Sequence, residues 1–221
     1  MDTNRLIDAL VADLKPVRSL APTWRRVVVW LALALPPTAI IVALMGLRPD
    51  LYERLNDELF LGQALAMLAT ALVGAYAALT AVIPGARRIV MAAPAIPLAG
   101  WMALLAYQWA WEWSRFGSAG TKFGLDVECI PAIAIIGVSP LAVMIGLIRK
   151  GAPHHRALAV FWGTLAAAAT ANTALRLFHP VDSALMVIAW QFGSVMAFSG
   201  LATLARNRLV PSLTVLPIRA G

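Results

Sequence analysis

The sequence predicts an all-α integral membrane bundle of six transmembrane helices with both termini in the cytoplasm. Three observations predict it. Hydrophobic residues make up 61% of the 221 residues and charged residues only 13%, against about 45–50% and about 25% in a soluble domain. With a mean hydropathy of +0.78, there is too little polar surface to cover a water-exposed globule, which excludes a soluble enzyme, a secreted domain and a disordered regulator. Six apolar runs are each long enough to cross a hydrocarbon core of about 30 Å as helix. Finally, the Lys and Arg residues divide unevenly between the two faces that six spans create, as the positive-inside rule requires.

The elements follow in order. Residues 1–26 form a cytoplasmic N-terminal segment, residues 27–205 the six-helix domain, and residues 206–221 a cytoplasmic tail. The runs are Val27–Leu47, Leu59–Ile83, Ile89–Trp113, Ile130–Ile148, Ala157–Leu177 and Ala184–Ala205. Their continuity argues for helices, since barrel strands would alternate apolar and polar residues. The first run starts too late and is too long for a cleaved signal peptide. With the N-terminus inside, 13 Lys or Arg lie inside and 5 outside, while the acidic residues divide 3 inside and 8 outside. The net charge of +7 is therefore mainly a topology signal, and direct nucleic-acid binding is not expected. Pro36, Pro37, Pro94, Pro97 and Pro140 should kink spans 1, 3 and 4. Small residues such as Gly74 and the Ala166–Thr170 run allow close helix approach in lipid. Tyr107, Trp109, Trp111 and Trp113 fit an outer aromatic belt, with Trp24 and Trp30 at the inner one. Lys15, Arg18, Arg25 and Arg26 read as the basic flank of span 1.

The N-terminal segment is the most informative stretch. Leu6, Ile7, Leu10, Val11 and Leu14 fall within an arc of about 140° on a helix. Thr3 or Asp2 can cap the start, and Pro16 ends it. Residues 1–14 carry a charge of −2, whereas a helix lying on anionic lipid needs a cationic polar face. A basic groove on a partner protein suits Asp8 and Asp13 better. The alternative is packing on this chain's own inner loops, which hold Arg87, Arg88, Arg149 and Lys150.

The stretch from Arg5 to Arg18 resembles the opening of NrsF-type proteins, six-span membrane anti-sigma factors. Further matching pieces are Gly46-Leu47-Arg48-Pro49-Asp50, Pro84-Gly85 before Arg87-Arg88, Cys129-Ile130-Pro131, Arg149-Lys150-Gly151-Ala152-Pro153, and Phe178-His179-Pro180-Val181-Asp182-Ser183-Ala184 leading to Trp190. Each piece is short, but their order and spacing cover nearly the whole chain. The resemblance implies a bacterial inner-membrane, multi-pass protein in transcription regulation and stress signalling. It also implies an extracytoplasmic-function sigma factor as partner, held by the N-terminal segment through Leu6, Ile7, Asp8, Leu10, Val11, Asp13 and Leu14. An outer-face signal would release it. Leu10→Asp should then abolish sigma binding without disturbing insertion.

One departure bears on sensing. Members often carry a second cysteine in the last outer loop, where this chain has Phe178-His179-Pro180, and often a histidine where it has Gln191. Cys129 is its only cysteine, so a thiol pair within one chain is excluded. Cys129, His179 and Asp182 remain as signal-sensing candidates, with a thiophilic metal as one reading and apolar filling by the cysteine as the other. A Cys129 disulfide between copies would make a homo-oligomer. His154 and His155 read as solvated loop residues. Thr170, Asn172, Gln108, Glu112 and Gln191 are the polar groups in or near spans. Glu112 is the ionisable candidate among them, and the amides should bond across helices.

No paired carboxylates, zinc spacing or phosphate loop appear, so no enzyme, resident metal or cofactor is expected. Ser139 is followed by Pro140 and lacks the surroundings of an intramembrane serine nucleophile. The alternative function is a small six-span transporter. Span 1 has Pro36 and ends at Arg48, span 4 has Pro140 and ends at Arg149, and the two run in opposite directions, as in a three-helix inverted repeat.

Overall fold

The computed structural model describes residues 3–12, 19–117, 129–151, 155–180 and 183–211. Six of its helical runs are long and apolar enough to cross a membrane. These are α2 (Thr23–Met45), α4 (Glu58–Thr80), the pair α5 (Arg88–Ala92) and α6 (Ala95–Phe116), α7 (Cys129–Arg149), α8 (Arg156–Leu175), and a sixth run. The sixth joins α9 (Ala184–Met186), a π-helical segment (Val187–Phe192) and α10 (Gly193–Leu204). Short helices α1 (Thr3–Ala12), α3 (Leu51–Leu55) and α11 (Arg206–Leu209) complete the chain order, and no strand occurs among the described residues.

The prolines act unequally. Pro94 has no N–H, and its ring would meet the carbonyl four residues earlier. The third span accordingly stops at Ala92 and restarts at Ala95. Pro97 sits in the first turn of α6, where a missing N–H costs nothing. Pro36, Pro37 and Pro140 stay inside continuous helices. The π-helical segment is a departure that no sequence signal announces. There the Gly193 N–H donates to the Ile188 carbonyl, one residue further back than in an α-helix.

Helix α8 is the centre, packing against α4, α7 and α10. It is the most buried span and also the least hydrophobic, at a mean hydropathy of 1.3 against 2.4 for the largely exposed α2. Lipid-facing helices need long apolar side chains, whereas a helix enclosed by other helices needs small ones. Its Ala166–Thr170 run is buried, and a Cβ on Gly74 of α4 would lie 3.3 Å from the Trp162 carbonyl and 3.4 Å from the Ala166 Cβ. Gly163 is tighter, since a Cβ there would stand 2.9 Å from Met144 Cγ and 3.1 Å from Ile148 Cδ1. Gly163→Val should cost about 1–3 kcal/mol by overpacking, read as a lower thermal midpoint in detergent.

At the end where α2 begins, two expectations change. Arg26 is buried rather than part of the exposed flank. Its Nη1 donates to the Leu79 carbonyl at 3.0 Å and its Nη2 to the Leu147 carbonyl at 2.9 Å. One cation thus satisfies orphan carbonyls near the ends of α4 and α7, where the helix dipoles favour positive charge. Trp30 is fully buried, not a belt residue, and its indole donates to the Pro140 carbonyl at 2.9 Å. Trp24, Tyr107, Trp109, Trp111 and Trp113 are exposed, as an interfacial belt requires, whereas Trp101 of α6 is fully buried. Nearby, a Cβ on Gly151 would fall 2.7 Å from Val82 Cγ2, so the Arg149-Lys150-Gly151 turn takes glycine for close approach.

Candidate functional site

Two regions combine exposed or polar chemistry. The first is α1. Ile7 and Val11 are one turn apart, and both are exposed, with Asp8 also exposed beside them. An amphipathic helix whose apolar residues stay exposed has a face left to bury. Leu6 and Leu10 lie in α1, but their side chains are outside the described residues, as are Asp13 and Leu14 altogether.

The second region is the far end of the bundle, where two sequence pieces distant in the chain meet. Gly46, at φ +80°, ends α2 by turning the chain in the left-handed half of the map. The Arg48 N–H then donates to the Leu177 carbonyl at 2.9 Å, and Nη1 approaches the His179 carbonyl at 3.4 Å. Arg48 grips Asp50 with two parallel bonds of 2.7 and 2.8 Å. These hydrogen bonds, and secondly the charge of Arg48, pull the Asp50 carboxyl down to about 2 from its ordinary 3.8. The depressed value stabilises the fold above the unfolded pKa, and that stability is lost as pH falls through the folded one. Wild type should exceed Asp50→Asn in thermal midpoint at pH 5, with the gap closing between about pH 4 and about pH 2.

Beside this clamp runs a polar chain across three spans. Arg176 Nη1 donates to Gln63 Oε1 at 2.7 Å. Gln63 Nε2 donates to Gln108 Oε1 at 2.6 Å, and Gln108 Nε2 to Glu112 Oε1 at 2.7 Å. Guanidinium only donates and carboxylate only accepts, so the direction of both amides is forced. The Ala184 N–H also donates to the two Glu112 oxygens, at 3.3 and 3.2 Å. The Arg176 guanidinium stacks over the Phe60 ring at 4.3 Å. Gln108 bonds across helices as expected of it. Neither Gln63 nor Arg176 is marked by the sequence as a member of a polar chain, although each is a polar residue within an apolar run.

Of the sensing candidates, His179 lies in the loop that meets Arg48. Cys129 begins α7, with its side chain outside the described residues, and Asp182 is outside them as well. Among the described residues no group of three metal-ligating side chains occurs. Asn172 donates to Met67 Sδ at 3.1 Å, while Gln191 is buried with no partner for Oε1 among the described residues.

No curated protein and no solved structure matches the chain. A family model, NrsF, described as negative regulator of sigma F, matches residues 10–210. The match takes in the whole six-span region and begins inside α1. A six-helix membrane bundle with that match, nearly end to end, belongs to the NrsF family of negative regulators of a sigma factor.

Proposed function

We propose that this protein is an anti-sigma factor that holds an extracytoplasmic-function sigma factor at the bacterial inner membrane. A signal at the opposite face releases it. The observation that carries the reading is α1, a helix that leaves Ile7 and Val11 exposed next to Asp8. In the resting state its apolar face docks in a groove of the sigma factor, and Asp8 and Asp13 meet basic residues around it. Occupation of that surface blocks polymerase or promoter contacts. The 13-to-5 division of basic residues supports a cytoplasmic position for both termini, on the side where a sigma factor acts.

Release needs little energy. A tenfold loss of affinity is about 1.4 kcal/mol of differential binding between two packings of the bundle. Arg26 ties the start of α2, which follows the docking segment, to α4 and α7. A shift of those helices would move the start of α2 through one side chain. Co-purification of the full chain with the sigma factor expressed beside it tests the reading. Retention at the membrane supports it, and a soluble sigma factor with the bundle intact contradicts it.

Cys129, His179 and Asp182 are the proposed receivers of the signal. Cys129→Ser should leave basal capture unchanged and alter the induction profile of a sigma-dependent reporter. An unchanged profile would make Cys129 a packing residue.

A further inference from the structure

At the far end of the bundle a cavity of about 800 Å³ opens between the start of α4, the end of α6 and the turn before α9. That volume is in the range of small-molecule sites. Its charged lining is unbalanced, with Arg54 and Arg176 against Asp57, Glu58 and Glu112. Arg54 is engaged by Asp50 at 3.4 Å and Asp57 at 3.6 Å. Glu112 is different. Its oxygens take hydrogen bonds from the Gln108 amide and the Ala184 N–H, both neutral. Among the described residues no cation lies within salt-bridge distance of Glu112 or Glu58. The amide chain from Arg176 fixes where the Glu112 carboxylate stands without neutralising it.

A carboxylate beside a cavity with no cation of its own is a ready acceptor for a cationic ligand, because a charge-assisted hydrogen bond is stronger than a neutral one. The walls indicate which kind. Leu104, Tyr107 and Trp111 line one side, a surface for an apolar body. The Arg115 guanidinium covers one face of Trp111, 4.9 Å from the ring centre, and Arg176 stands over Phe60 at 4.3 Å, so two of the lining rings already hold a cation and Glu112 does not. Carboxylate lone pairs favour N–H donors. We infer that this cavity binds a primary amine, its ammonium on Glu112 with Glu58 adding charge, and its apolar body against Leu104, Tyr107 and Trp111. A free amine and the ethanolamine headgroup of a membrane lipid share this chemistry. That the occupant acts as the releasing signal would rest on the proposed function. Binding itself does not, because it is measured without a sigma factor.

The test is calorimetric titration of phenethylamine into the full chain in phosphatidylglycerol nanodiscs, with empty discs subtracted. Saturable binding at one site per chain is expected. It should weaken at least tenfold in Glu112→Gln, which keeps a side chain able to accept from Gln108. It should persist in Glu53→Gln, an acid of α3 outside the cavity lining. Phenethyl alcohol and trimethylphenethylammonium should bind at least tenfold more weakly. Glu58→Gln, expected to weaken binding severalfold, serves if Glu112→Gln does not fold. Absence of saturable binding overturns the inference, as does equal binding by wild type, the cavity variants and Glu53→Gln, which would mean surface attraction only. Repeating the titration in phosphatidylethanolamine nanodiscs separates the sources. Weaker apparent binding there, lost in the cavity variants, identifies the headgroup as occupant, and unchanged binding identifies a free amine.

Discussion

Replacing both Ile7 and Val11 by aspartate should lower affinity for the sigma factor by about 100-fold or more, with six-span insertion and thermal stability unchanged. Each apolar side chain contributes about 1.5–3 kcal/mol when fully buried, and two such losses correspond to at least two decades of affinity. Stability should not follow, because both side chains are already exposed in the free protein. Affinity is measured with the full-length variant in nanodiscs against purified sigma factor. Single Asp8→Asn should act more mildly and mainly through the association rate, as rim charges do. Full affinity in the double variant would place the sigma contact elsewhere on the chain.

The second large effect is expected at Arg26. Arg26→Ala leaves the Leu79 and Leu147 carbonyls without their donor. Hydrogen bonds from a charged group contribute about 1.5–3 kcal/mol each. The pair together should therefore cost about 3 kcal/mol or more, seen as a lower thermal midpoint of the purified protein. Arg26→Lys should recover part of that loss, because a lysine keeps the charge at the helix ends but not the fork that reaches two carbonyls at once. If α2 passes movement of α4 and α7 to the docking segment, Arg26→Lys should also blunt release while leaving capture in place. A normal thermal midpoint for Arg26→Ala would show that the two carbonyls find other donors.

The spans were legible in the sequence because hydropathy and length are local properties, and bilayer thickness turns them directly into helices. A disturbance at Pro94 was legible for the same reason, since its cause lies within four residues, but the same signal at Pro36, Pro37 and Pro140 interrupts no helix. The roles of polar residues were not. Arg26 has the sequence context of a membrane flank, and only the arrival of α4 and α7 beside it makes it a buried cap. Trp30 misled in the same way, because interfacial and buried indoles look alike in a sequence. The chain from Arg176 to Glu112 joins residues up to 113 positions apart, a pairing fixed by which helices neighbour each other. Gln108 and Glu112 were visible as polar groups in a span, and Gln63, within an apolar run, was a further hint, since an amide in lipid must find a partner. The N-terminal amphipathic pattern was legible, but amphipathicity specifies an exposed face and not what covers it.

The most direct measurement of the central claim is photo-crosslinking from Val11 in intact cells, with the full chain at native level and a photoreactive residue at that position. An adduct with a sigma factor is expected under resting conditions and should disappear on induction. An adduct only with the protein's own 87–88 or 149–150 loops would instead make α1 a helix packed on its own bundle, and the claim that it holds the sigma factor would be wrong.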